Sequence, residues 1–166
     1  MTGGQFGEGD FMRRRTHIHG RTERGASAVE FALVVPLLAA LLCGIIDYGL
    51  VFNDSVSTRN GIREAARQGV VSDFGSGATL ETLKTQAKAE IGAITGTASV
   101  KIYVPGNKWE RGAPLIVCAS IPNPGLINFV PLPDNLRSRV EMSIETQTLP
   151  PSGALSTADT GDWSWC

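Results

Sequence analysis

The sequence has 166 residues, enough for one domain and an appendage, and a formal net charge of −1. This balance gives no reason to expect nucleic acid or an acidic substrate as a partner. The charges are unevenly placed, however: residues 11–25 carry five arginines and one glutamate, a local charge of +4, and the chain after Gly25 has ten basic and thirteen acidic residues, or −3. A basic segment before an apolar stretch and a polar domain is typical of a membrane anchor.

The anchor is predicted in a long helix near the N-terminus. Residues 1–24 are rich in glycine and arginine without apolar periodicity, which predicts disorder. Residues 31–46 carry no charge, and the apolar character resumes after Asp47. The 22 residues from Phe31 to Phe52 form a helix of about 33 Å, enough to cross a hydrocarbon core of roughly 30 Å. We therefore predict a transmembrane span at about 31–52 within a helix over 26–72.

Other interpretations of this apolar segment fit less well. A cleavable secretory signal has a shorter apolar region that ends in a small-x-small site, and no such site follows here. The segment Ala40-Leu41-Leu42-Cys43 resembles a lipoprotein site, but Leu42 stands where a small residue is expected. A buried helix of a soluble core would not follow a basic segment in this way. Pro36 is compatible with a membrane helix because nearby groups satisfy the freed carbonyl.

Two groups of charges mark the end of the predicted span and the helix beyond it. Asp47 is expected to be hydrated at the outer membrane interface. Arg59, Arg63 and Arg67 recur at steps of four and form a basic stripe on one helix face. The stripe is either a solvated face, which we favour, or a binding patch.

The chain after the first helix predicts a small α+β domain over residues 73–149, followed by a C-terminal tail over 150–166. A second helix is predicted at Leu80–Ile94, with Thr79 as its N-terminal cap and Gly96 after its end. Strands are predicted at 100–104, 115–121 and 140–145, and the proline-rich link Pro122–Asn135 is expected to pack on them. The fold class is thus α+β: one further helix on a three- to four-stranded, mostly antiparallel sheet.

The positions of the cysteines and histidines limit the chemistry that this domain can perform. Cys118 and Cys166 either form a disulfide, which an oxidising compartment would permit, or remain two free thiols. Both histidines, His17 and His19, lie in the N-terminal segment, so the domain has no Ser/His/Asp arrangement. His17-x-His19 lacks a third ligand nearby, and no phosphate-binding loop follows a strand. We therefore expect no enzyme, metal, cofactor, nucleic acid or small-molecule substrate.

The junction between the basic segment and the span carries the most specific motif. Gly25 is followed by the small residues 26–28, and Glu30 stands five residues after the glycine at the start of the apolar helix. A carboxylate within a membrane is unfavourable, by up to ~3 kcal/mol at the helix centre. Glu30 is therefore either hydrated at the interface or paired with a cation.

The stretch GASAVEFALVVPLLAALLCGIIDYGLVFND, continuing into TRNGIREAARQGV, resembles the TadE-like minor pilins (pseudopilins) of the tight-adherence (Tad/Flp) pilus system. That family has a glycine, small residues, V-E-F-A-L, a proline in the helix, and an acidic residue followed by an aromatic residue and glycine. These places are filled, in order, by Gly25, Glu30, Phe31, Pro36, Asp47, Tyr48 and Gly49.

The resemblance implies that a prepilin peptidase cuts between Gly25 and Ala26 on the cytoplasmic side and removes the leader of residues 1–25. Glu30 would then pair with the new amine of Ala26 on a neighbouring subunit during assembly. The implied location is the inner membrane, with the C-terminal domain exported, and the implied partners are the peptidase, other pilins and Tad assembly proteins. The alternative is an uncleaved single-pass membrane protein whose exported domain binds a ligand or scaffolds a complex.

Overall fold

A computed structural model describes residues 22–123, 131–145 and 149–166. The chain divides into two compact units, the first ending at Ala39 and the second beginning at Ala40. Residues 1–21 of the predicted leader, which include both histidines, lie outside the described residues. So do residues 124–130 of the predicted link Pro122–Asn135, and its expected packing on the sheet therefore stays a prediction.

The first helix, α1, is Thr22–Val71, and it continues through Pro36. Its length of 50 residues corresponds to about 75 Å. The predicted helix over 26–72 is therefore present and begins four residues earlier. In the second unit, Gly61 allows a close approach to the end of the next helix, because a Cβ atom there would lie 2.9 Å from the backbone nitrogen of Ile91. Such a contact admits no side chain.

The second helix, α2, is Leu80–Ile91. The prediction of Thr79 as its cap is confirmed: the Thr79 hydroxyl accepts the N–H of Thr82, and the Thr82 hydroxyl accepts the N–H of Thr79. The predicted end at Ile94 is wrong by three residues. Gly92 adopts the left-handed conformation with φ of 50° and ends the helix there.

Within the described residues, four strands form one antiparallel sheet: β1 Ser99–Tyr103, β2 Pro114–Pro122, β3 Asn135–Ser143 and β4 Ser156–Ala158. Their order is β3-β2-β1-β4, so β3 and β4 are the edges. The predicted α+β class, with one further helix and a three- to four-stranded antiparallel sheet, is confirmed. The strand β4 lies in the segment predicted to be a tail, and three residues are too few to show an alternating pattern.

The core of the second unit lies between the two helices and one face of the sheet. It is built from apolar side chains that recur at helical spacing in α1 and α2 and alternate along β1 and β2, chiefly Ile62, Leu80, Ile91, Ile102, Leu115 and Val117. The opposite face of β2 is covered as well, since Ile116 and Cys118 are also buried.

Asp159, just after β4, joins the C-terminal segment to α2 and β1. Its carboxylate lies 3.1 Å from Nζ of Lys84 and 3.0 Å from Nζ of Lys88, and it accepts the N–H of Val100. Burial raises the pKa of Asp159, but the Val100 N–H and the two ammonium groups outweigh it and hold the pKa below its ordinary value. The C-terminal segment is thus an integral part of the sheet.

Candidate membrane-anchoring and processing site

The first part of α1 is exposed on every side. Residues 25–39 are all exposed, and the most apolar 18-residue window of the helix has a mean hydropathy of 2.5 with none of it buried. Phe31, Leu33 and Leu37 are each at least 70% exposed. In water this surface would be strongly unfavourable, whereas hydrocarbon is as apolar as the side chains themselves.

The motif residues lie at the start of this exposed helix. Gly25 and Ala26 belong to the first turns of α1, and a Cβ atom at Gly25 would meet nothing within 4 Å. Glu30 lies four residues beyond Ala26 on α1 and is exposed. This separation corresponds to about 6 Å along the axis. Gly25 is therefore accessible, and the Glu30 carboxylate lies on the helix surface.

The predicted hydration of Asp47 is wrong. Asp47 is only 2% exposed. Val51, Asp54 and Thr58 follow on the same face and are buried as well. No residue of α1 from Gly25 to Ile46 is buried, although Ala40, Cys43 and Gly44 are half-buried, and the first buried residue is Asp47, five residues before the predicted end of the span.

The other motif residues near this point face outward. Tyr48 and Phe52 are 64% and 61% exposed, and Gly49 has open space where a side chain would be. These two aromatic residues lie four positions apart on α1, just after Asp47, the first buried residue of the helix. Aromatic side chains favour membrane–water interfaces, so this position suits the end of a membrane span.

The structure joins Cys118 and Cys166 in a disulfide, with Cα atoms 6.1 Å apart. The Tyr103 hydroxyl donates to the Cys166 carbonyl at 3.0 Å, and the Arg137 guanidinium lies 5.4 Å from the centre of the Trp165 ring. These contacts hold the last residues against the outer face of the sheet. Cys43, on α1, is the free cysteine of the described residues.

One site that the sequence did not predict is Asp54, which joins α1 to the turn after α2. Its Oδ1 accepts the N–H of Ile94 at 2.9 Å, and its Oδ2 accepts the N–H and the hydroxyl of Thr95 at 2.8 and 2.5 Å. The sequence offers only a weak signal for this site. Asp54 is a carboxylate three residues after Val51, on a helix face that the structure shows to be buried. Across residues 22–123, 131–145 and 149–166, no group of three His, Cys, Asp or Glu side chains is placed to hold a metal ion.

An exposed apolar helix that leads into a small α+β unit defines a single-pass membrane protein. Residues 25–67 match the family model of TadE-like proteins, which confirms the resemblance predicted from the sequence. The match lies entirely within α1 and starts at Gly25. No curated protein and no solved structure matches the chain.

Proposed function

We propose that this chain is a minor pilin or pseudopilin, anchored in the inner membrane, that supports the assembly of an adhesive Tad-type pilus. The observation that carries the proposal is the family match, which covers Gly25, Glu30 and the whole exposed apolar part of α1. The similarity therefore lies in the part of the chain that a pilin uses for processing and anchoring. The chain acts as a substrate and a structural component, and its function requires no catalysis.

The membrane-embedded part is residues 25–46. No residue of this segment is buried, and its 22 residues span about 33 Å, which matches a hydrocarbon core of roughly 30 Å. This placement is shifted towards the N-terminus from 31–52, and it puts Glu30 inside the membrane rather than at its surface. A buried carboxylate requires a partner. The Ala26 amine of a neighbouring subunit would supply one, and this pair is much stronger in lipid than in water.

Processing separates Gly25 from Ala26. A peptidase must unwind the substrate around the bond that it cuts, and glycine lowers the cost because it stabilises a helix by about 1 kcal/mol less than alanine does. The leader of residues 1–25 stays cytoplasmic because of its arginines, and residues 73–166 are exported. The disulfide between Cys118 and Cys166 supports export, since such bonds persist in oxidising compartments.

Intact-mass measurement on the protein from its native membrane tests this proposal. We expect a chain that begins at Ala26, and a Gly25→Phe variant that keeps its leader, because the bulky side chain obstructs the peptidase at an otherwise open position. Gly49→Phe is the matched control: it places the same side chain at another open glycine of α1 and should be processed normally. A wild-type chain that retains residues 1–25 would instead favour the uncleaved single-pass alternative.

A second prediction concerns the role of Glu30 in assembly. Glu30→Gln keeps the size of the side chain and removes its charge. We expect normal removal of the leader but at least a tenfold loss of pili. Loss of an ion pair worth ~1.4 kcal/mol gives roughly this factor. Intact mass reports processing, and electron microscopy of the cell surface reports pili. Normal piliation in the Glu30→Gln strain would exclude the proposed pairing with the Ala26 amine.

A further inference from the structure

Two cavities lie in the second unit along the seam between α1 and β3. One, of about 240 Å³, is lined by Thr58 and Arg59 of α1 and by Leu136 of β3. The other, of about 580 Å³, is lined by Arg67, Val70 and Val71 of α1, by Met142 and Ser143 of β3, and by Glu145 after the strand. Residue numbers rise in both elements from the first cavity to the second. The helix and the strand therefore run in the same direction. We call the two cavities and the seam that joins them the groove.

The strand beside this groove lies at an edge of the sheet. β3 has nine residues and pairs with β2 on one side, and no described strand pairs with its other side. Leu136, Val140 and Met142 face the core but are only partly buried. An unpaired edge of this length presents backbone N–H and C=O groups that another extended chain can use.

The arginine stripe of α1 follows the same groove. Arg59 and Arg67 line its two cavities, Arg63 lies between them in the sequence, and all three are exposed. Arg67 pairs with Glu64 at 2.7 Å, whereas Arg59 and Arg63 have no ion pair with any described residue. Steps of four residues separate the arginines by about 6 Å along the helix. Side chains on one face of a strand repeat at about 6.8 Å, so every second residue of an extended chain would meet one arginine.

From these observations we propose that the groove binds an extended, acidic segment of a partner protein. The segment adds to the free edge of β3 by backbone hydrogen bonds, and its inward side chains enter the two cavities. Acidic residues at alternate positions pair with Arg59 and Arg63, the two arginines of the stripe that have no ion pair with a described residue. The inference assigns an interaction surface to the α+β unit and does not depend on removal of the leader or on Glu30.

An anionic membrane surface is a less suitable occupant for the stripe. Arg59 lies thirteen residues beyond Ile46, the last residue of α1 before the first buried one. This distance is about 20 Å along the helix axis, more than twice the Debye length of about 8 Å at physiological ionic strength. Lipid headgroups also cannot supply the backbone hydrogen bonds that the edge of β3 offers.

Binding of synthetic peptides to the full chain in nanodiscs of zwitterionic lipid tests the proposal. The probe is a labelled peptide of alternating glutamate and valine, and the same peptide with glutamine is the neutral comparison. We expect the glutamate peptide to bind at least tenfold more tightly, and Arg59→Glu/Arg63→Glu to abolish that difference. Lys108→Glu/Arg111→Glu is the matched control, since it reverses two exposed charges that line neither cavity and should leave affinity within about threefold.

Amide hydrogen exchange then tests strand addition itself. The bound glutamate peptide should slow exchange within residues 135–143, and 0.5 M salt should weaken binding because the Debye length shrinks. Equal binding of both peptides, or unchanged exchange in β3, would overturn the proposal. A third result would also overturn it: the protein binds phosphatidylglycerol vesicles but not the peptide, and Arg59→Glu/Arg63→Glu abolishes vesicle binding. This result would assign the stripe to lipid. Circular dichroism of each variant confirms that the fold is retained.

Discussion

Reduction of the Cys118–Cys166 disulfide should lower the free energy of unfolding of the α+β unit by about 4 kcal/mol. The bond connects residues separated by 48 positions, and closing a loop of this size removes about that much entropy from the unfolded chain. For a unit of this size the melting temperature should fall by roughly 10 °C or more. Thermal unfolding followed by tryptophan fluorescence, with and without reductant, measures the change.

The folded state should survive reduction at low temperature. The C-terminal segment keeps its pairing between β4 and β1, and the ion pairs of Asp159 with Lys84 and Lys88 remain. Cys118→Ala/Cys166→Ala should therefore melt like the reduced wild type and should not respond to reductant. Cys43→Ala is the control, because it removes the free thiol of α1 and should leave the effect of reductant unchanged. Alkylation of Cys166 in unreduced protein would contradict the predicted bond.

The parts of the fold that local patterns determine could be predicted from the sequence. The charge-free stretch after the arginines predicts α1, and the alternation along 100–104 and the mostly apolar run at 115–121 predict two adjacent strands. The cap at Thr79 follows from side-chain chemistry within one turn. At the other end of α2, several residues are compatible with termination, and the left-handed backbone of Gly92 decides the position.

The features that the sequence did not predict depend on contacts between distant residues. The sequence predicts Asp47 to be a hydrated interfacial residue, whereas the folded chain buries it. β4 has only three residues, and its existence depends on the edge of β1 and on Asp159, which bonds to Val100. The pairing of Cys118 with Cys166 was an open alternative for the same reason, since only the tertiary fold sets the distance between their Cα atoms.

The contact between α1 and the turn after α2 predicts the second large effect, at Asp54. Its carboxylate is fully buried and accepts four hydrogen bonds, three from Ile94 and Thr95 and one from the side-chain amide of Asn53. The neighbouring Ser57 hydroxyl donates to the carbonyl of Ile91. Asp54→Ala removes all four hydrogen bonds and leaves the backbone N–H groups of Ile94 and Thr95 without this acceptor. We expect a loss of about 3 kcal/mol in the free energy of unfolding. Asp73→Ala is the matched control, because Asp73 is exposed and accepts one N–H, from Gly75, so the loss should stay below about 1 kcal/mol.

Asp54 should also make part of the stability depend on pH. Burial raises the pKa of this carboxyl, but the hydrogen bonds from Thr95 and Ile94 outweigh burial and hold the pKa below its ordinary value. A pKa lowered by folding stabilises the native state fully above the ordinary pKa, and this stabilisation is lost as the pH falls through the folded-state value. The difference in unfolding free energy between wild type and Asp54→Asn should therefore be constant near pH 7 and shrink below about pH 4. Other carboxylates titrate in both proteins, so their contributions cancel in this difference. If the difference in unfolding free energy stays constant down to pH 2, the charge of Asp54 does not stabilise this turn.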